Sequence, residues 1–368
     1  MQHPTLLRFR FIFPIRPTTN FMRCTVAGLL GMGLLSAAQA QTEAPPPENE
    51  TSVIAPLVND PPGILTAPRR VVIEPSVQYS YSSSNRIALV GYTVIPAILV
   101  GLVDVREVKR NTVTAALTGR FGLSTRTELE IRLPYVHRSD TTVSRALNAA
   151  SYQDTAFEAS GTDIGDVEFG LRHQLNNGGT DLPYFVGSLR YKTRYGKSPF
   201  DVETNCSPDC ASNTVGTGLP LELPTGSGFS SVQIGVTTLM PSDPAVFFGS
   251  ITYTHTLPRD NISRNLVNNQ QQFIGRIEPG GVLGFNFGMG LAINEKSSFS
   301  LGYDHNSVET TRINGEVPAG SVRTQLGTLQ LGYSHRISPK TSLNVSVGAG
   351  LTRDTPDLTL TIRLPITF

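Results

Sequence analysis

Apolar and polar residues alternate with a period of two through most of this chain from residue 70 onward. The clearest case is the C-terminal stretch Leu358 to Phe368. There Leu358, Leu360, Ile362, Leu364, Ile366 and Phe368 share one phase, and Thr359, Thr361, Arg363, Pro365 and Thr367 share the other. About ten residues is the length a tilted strand needs to cross a bilayer. Alternation gives such a strand one lipid face and one wet face. The pattern predicts an all-β chain that forms a transmembrane antiparallel β-barrel of about 12 strands.

The predicted strands lie near 70–82, 112–122, 127–137, 164–175, 184–195 and 229–240, then 245–257, 281–293, 298–310, 323–337, 341–353 and 357–368. Short reversals rich in Gly, Pro, Asn, Asp and Ser separate alternate pairs, as at Pro241 to Pro244 and Ser338 to Lys340. Longer connections (83–111, 138–163, 196–228, 258–280 and 311–322) take turns with them. Bacterial barrels keep short turns in the periplasm and long loops outside. With the first strand starting in the periplasm, this rhythm returns Phe368 to the same side. The apolar run Ile87 to Val103 has two readings: an extension of the first two strands, or a loop folded back as a plug.

Strand phase assigns the interior. Glu74, Arg120, Glu128, Glu130, Arg132, Asp166, Glu168, Arg172, Arg190, Lys192, Arg194 and Arg363 all fall on the inward phase and are the candidate pore-lining residues. An Arg or Lys on the lipid face would cost about 2–4 kcal/mol at mid-bilayer, which fixes that phase. The charges read either as cross-strand ion pairs that hold a narrow barrel together or as a constriction that selects solutes. Arg190, Lys192 and Arg194 form a basic ladder on one strand. The second half of the wall carries Ser250, Thr252, Asn286, Ser300, Asp304, Gln330 and Ser334 inward, with many glycines, and is expected to leave space.

Composition refines this picture. Arg8, Arg10, Arg16 and Arg23 precede a short apolar core, Thr25 to Leu35, and Ala38-Gln39-Ala40 offers a cleavage site. Residues 1–40 therefore read as a signal peptide, with Met1 or Met22 as the start, and Cys24 lacks a lipobox-like setting. The formal charge of the whole chain is +1, and loss of four arginines and no acids in the signal makes the remainder slightly acidic. That excludes nucleic acid, which needs a concentrated basic surface. Residues 41–69, with seven prolines and no amphipathic repeat, read as a disordered periplasmic lead. Residues 70–368 form the barrel. Cys206 and Cys210 are a disulfide candidate in an exported chain.

Four Tyr-x-His units (Tyr135/His137, Tyr253/His255, Tyr303/His305 and Tyr333/His335) sit on the outward phase near strand ends. They read as an interfacial aromatic girdle, not a metal site, because they come from both ends of the barrel. His137-Arg138-Ser139 invites comparison with lipid deacylases, but no acidic orienter shares its phase. No enzyme chemistry, cofactor or metal is expected.

Several stretches carry a family resemblance. They are Pro62-Gly-Ile-Leu65, Glu74-Pro-Ser76, Tyr79 to Arg86, Arg132 to Asp140, Gly165 to Gly170, Leu223-Pro-Thr-Gly226 and Thr361 to Pro365. Together they resemble the outer-membrane transporters named for the meta pathway of phenol degradation, over most of residues 62–368. A branch of similar barrels exports functional-amyloid subunits, and the first three strands with Gly226-Ser-Gly228 are similar to that branch. Its exporters carry a periplasmic coiled coil, whereas residues 41–69 have no heptads. The terminal Phe368 also resembles the signal read by the barrel-assembly machinery. These likenesses imply a bacterial outer-membrane channel that passes small, aromatic or hydrophobic solutes, with export of an amyloid subunit as the alternative. The implied partners are outer-membrane lipid, the assembly machinery through the C-terminal strand, and the solute or secreted polypeptide, with a homotrimer left open.

Overall fold

The structure, a computed structural model, describes residues 65–90, 102–146, 155–178, 182–205, 219–242, 244–266, 270–318 and 321–368. The expected signal peptide (1–40), most of the expected lead (41–64), the central part of Ile87–Val103 (91–101), and both Cys206 and Cys210 lie outside these residues.

Twelve barrel strands follow the alternation. They are β1 (Val71–Val90), β2 (Leu102–Ser124), β3 (Thr127–Ala146), β4 (Thr155–Ile164, resuming as Glu168–Gln174), β5 (Tyr184–Lys192) and β6 (Ser231–Ser242). The second half is β7 (Ala245–Thr256), β8 (Val282–Asn294), β9 (Ser297–Val308), β10 (Thr324–Ser338), β11 (Thr341–Gly350) and β12 (Leu358–Arg363, resuming as Ile366–Thr367). Each pairs antiparallel with its sequence neighbours. β12 also pairs with β1, from Ser76↔Arg363 to Tyr81↔Leu358, and that ladder closes the sheet on itself. Closure leaves no edge along this belt, the one way a sheet satisfies its backbone in lipid.

Side chains sort as the phase demands. Val77, Leu117, Leu133, Phe169, Leu189, Ile251, Phe287, Leu331 and Ile362 are large, apolar and exposed on the outer surface. Glu74, Thr118, Arg120, Glu128, Ser300, Ser334, Asn344 and Thr361 are buried. That inversion of a soluble core suits a wall with lipid outside.

Two features depart from a regular wall. β4 breaks at Gly165–Val167, where Tyr135 pairs with Ile164 but Arg132 pairs with Glu168, so two residues of β3 face three of β4. This is a bulge, and it redirects the strand. Beyond it, β4 pairs on one side with β3, while its other edge meets the chain at Glu222 and Leu223.

The long connections differ from the lengths expected at 83–111 and 138–163. The β1–β2 ladder continues to Val90↔Leu102, and the β3–β4 ladder to Ser144↔Thr155. The β1–β2 ladder agrees with the reading of Ile87 to Val103 as an extension of the first two strands, whereas over 139–144 and 155–162 Ser and Thr blur the apolar phase and periodicity missed that extension.

The connections at 196–228, 258–280 and 311–322 are also not simple loops. They contribute Thr204–Asn205, Leu219–Pro220, the hairpin Arg259–Leu266/Gln270–Glu278, and Arg312–Ile313 to a second, five-stranded sheet. Val202, Leu223, Ile262, Leu266 and Ile277 are buried there. Gly275, at φ 103°, allows close approach by Asn314. The Asn314 side chain accepts from the Arg276 N–H and donates to the Ile274 carbonyl, at 2.8 and 2.9 Å. This fastens the β9–β10 connection to the hairpin.

Candidate functional site

Glu74, Arg120, Glu128, Glu130, Arg132, Glu168, Arg172 and Arg190, inward on β1 to β5, meet in one network. Directly opposed residues, Arg120↔Glu130, Glu128↔Arg172 and Arg132↔Glu168, set its register. Arg120 reaches Glu74 at 2.7 Å and Glu130 at 3.2 Å. Arg172 holds Glu128 and Glu130, each at 2.9 Å. Arg132 meets Glu168 at 3.3 Å, while Arg190 lies 3.7 Å from Glu168 and 3.9 Å from Glu130. Buried charges are tolerated because each is paired and hydrogen-bonded.

A cavity of about 200 Å³ adjoins this network. Its lining includes Glu74, Ser76, Gln78, Thr118, Arg120, Glu130, Arg132, Arg190, Thr361 and Arg363. Two carboxylates and four guanidiniums thus line this space, and Glu168, bridged to Arg132 and Arg190, offsets part of that positive charge. Arg363 reaches it from the final strand, across the β1–β12 closure.

Lys192 and Asp166 belong to a second cluster, at the β4 bulge. Asp166 accepts hydrogen bonds from the Gly196 N–H at 3.1 Å and the Ser227 N–H at 2.8 Å, and from the Ser227 hydroxyl at 2.6 Å. Lys192 donates to Ser227 Oγ at 2.9 Å and lies 3.6 Å from Asp166. Gly196 and Gly226 pack so closely that a Cβ on either would meet backbone of the other at 2.7 Å. Asp166 therefore organises the connection that seals the wall above the bulge. Arg194 lies past the end of β5 and is exposed, without an ion-pair partner among the described residues, so the basic ladder is not continuous.

Residues 65–70 also take part. Leu65 is buried, the Arg69 N–H donates to the Gly122 carbonyl, and the Thr66 N–H donates to Glu128 Oε2 at 2.7 Å. Gly122 is required at this point because a Cβ would meet Ala67 O at 2.1 Å. The segment is seated on the inner side of the wall, where Glu128 clasps its backbone. Sequence reading had assigned 65–69 to the lead.

The quiet half of the interior is less open than its glycines suggested. Phe248 is buried, and its ring lies where a Cβ on Gly288 would fall, 2.4 Å away, with Gly302 beside it. Adjacent Phe247 and Phe248 take opposite faces, and the phase of β7 could have identified the inward one. Ser250 accepts from Asn286 at 2.6 Å, and Ser334 donates to Asn344 at 2.6 Å.

The Tyr-x-His units stay on the outward phase and do not converge. His137 contacts Thr162 Oγ1 at 2.6 Å, and His335 contacts Ser297 Oγ at 2.9 Å. His305 stacks on Phe285, with centroids 5.0 Å apart. Among the described residues no group of three or more His, Cys, Asp or Glu is placed to hold a metal ion.

No family model matches the chain. Among solved structures, its fold is similar to that of an outer membrane channel from Pseudomonas putida F1, at 15% sequence identity and a TM-score of 0.53. That likeness covers 84% of this chain and 99% of the other. The fold is that of an outer-membrane β-barrel. Looser likenesses join this barrel to the translocator domain of the autotransporter NalP from Neisseria meningitidis and to the P. putida toluene transporter TodX. The first has 11% identity, a TM-score of 0.47, and coverage of 82% of this chain and 89% of that one. The second has 10% identity, a TM-score of 0.36, and coverage of 83% and 91%.

Proposed function

We propose that this barrel is a passive channel of the bacterial outer membrane for small solutes, aromatic and other apolar compounds among them, with a preference for anions. The observation that carries this reading is the interior cavity, where four guanidiniums face two carboxylates inside a closed wall. Fixed charge at a narrow point sets which ions pass. Phe248 and Val246, buried on β7, supply apolar interior surface. The short-turn end and Phe368 lie in the periplasm, and the second sheet lies outside the cell.

The ion pairs make a narrow, braced lumen. Export of a polypeptide would need a wider path, and the coiled coil expected of such exporters has no counterpart in the sequence of 41–69. The channel reading therefore stands first.

The test is flux into proteoliposomes of the refolded mature chain, with benzenesulfonate as a permanently charged aromatic probe. Benzenesulfonate should enter faster than through protein-free vesicles and faster than a cationic aromatic of similar size. Entry no faster than in protein-free vesicles would refute the proposal.

A further inference from the structure

We propose that the arginine-lined cavity is the docking site of this chain's own residues 52–64, with Asp60 as the carboxylate that enters it. The proposal deepens the channel reading, because a seated segment occupies the space that solutes cross and an anionic solute competes with Asp60 for it.

The course of the chain before β1 sets the direction. Ala67 to Arg70 form a turn closed by the Arg70 N–H on the Ala67 carbonyl at 3.1 Å, with Pro68 and the left-handed Arg69 (φ 62°) at its centre. This turn reverses the chain. Pro68 bridges Gly122 in parallel, and β2 runs from the loop end toward the short turn that leads into β3. Residues before Pro68 therefore lie on the Arg120 side of Gly122, away from that short turn. The Thr66 N–H on Glu128 at 2.7 Å and the Thr66 and Ala67 carbonyls packed over Gly122 hold this course. Leu65, the next residue back, is buried.

Reach and charge then select the occupant. Arg120, the inward residue beside Gly122 on β2, lines the cavity, as does Glu130, two residues beyond Glu128 on β3. Two residues along a strand cover about 7 Å. The chain from Asp60 to Thr66 spans up to about 20 Å when extended. Pro61 and Pro62 favour that extended course and carry no N–H to leave unsatisfied. Residues 52–64 contain one acid, Asp60, and neither Lys nor Arg. With Glu168 and the Glu128–Arg172 pair counted, the groups in and around the cavity are five guanidiniums and four carboxylates. One carboxylate balances that excess, and an unmatched charge away from water is costly. Ser76, Gln78 and Thr118 in the cavity wall supply further donors. The short tether presents Asp60 at a roughly millimolar effective concentration, which favours it over a free carboxylate.

The experiment is site-directed crosslinking in outer membranes from cells that express the full chain, with its three cysteines replaced by Ser. Asn59→Cys is paired with Gln78→Cys in the cavity wall, or with Lys340→Cys on an exposed short turn beside the start of β1. A short bismaleimide should join residue 59 to residue 78 in preference to residue 340. Adding Asp60→Asn should lower the 59–78 yield roughly fivefold or more. Heat-modifiable migration confirms that each variant is folded, and Ser76→Cys replaces Gln78→Cys if that change prevents folding. Joining to residue 340 as fast as to residue 78, no cavity crosslink in a folded barrel, or a yield that Asp60→Asn leaves unchanged would each overturn the proposal. Crosslinking reads position whether or not the barrel conducts. Absence of benzenesulfonate flux with the 59–78 crosslink intact would therefore count against the channel reading only.

Discussion

Glu128 and Arg172 stand directly opposite each other on β3 and β4, with Oε1 2.9 Å from Nε and Glu128 only 2% exposed. The same carboxylate accepts the Thr66 N–H through its other oxygen. A single residue thus joins the charge network of the wall to the segment that precedes the first strand.

Glu128→Ala removes both links and leaves Arg172 with Glu130. Breaking one side of a buried pair costs about 3–5 kcal/mol. The unfolding midpoint of the folded barrel in urea should fall accordingly, whereas an unchanged midpoint would show that the pair is solvated.

Gly122→Val should unseat residues 65–70 without opening the barrel. Its Cβ would lie 2.1 Å from Ala67 O and 2.5 Å from Thr66 O, both backbone atoms that cannot turn aside. Limited proteolysis should then cut near Arg69 and Arg70 faster, while heat-modifiable migration stays normal. Unchanged cleavage would mean that the segment is held elsewhere.

Much of this architecture was legible from periodicity. All twelve barrel strands overlap the segments that the alternation marked, because lipid on one face penalises any slip by one residue, though β1 to β4 run beyond them at the loop end. Outward Leu117, Leu133 and Ile362 and inward Glu130 and Arg172 followed from that rule. The second sheet was not legible. Its pieces at 204–205, 219–220 and 312–313 are two residues long, and the hairpin shifts register near Ile262. No period can appear over such lengths. The bulge at Gly165–Val167 was hidden because its extra residue reverses the phase, so even positions face outward over 156–164 and odd positions over 169–173, and no single alternation runs through it. The seat of residues 65–70 depends on a backbone bond to a distant carboxylate, which leaves no local signature.

Phe248→Ala should widen the lumen. The ring fills space left by Gly288 and Gly302, and small replacements in that half of the wall have no other bulky occupant among the described contacts of those glycines. Single-channel conductance should rise. Stability should fall by about 3–5 kcal/mol, as for other buried Phe truncations. A fall in conductance would place Phe248 outside the conducting path.

Arg190 and Arg194 should separate cleanly. Arg190→Gln removes one of the four guanidiniums around the cavity and should reduce anion preference in reversal-potential measurements. Arg194→Gln, beyond the strand end and exposed, should leave it unchanged within error. The opposite ranking would move the selective region from the cavity to the mouth of β5.

Single-channel recording of refolded residues 41–368 in a planar bilayer tests the central claim most directly. Discrete open steps with anion preference, diminished by Arg363→Gln, are the predicted result. A correctly folded, heat-modifiable barrel that stays silent at every voltage, or conducts with no preference that Arg363→Gln alters, would contradict it.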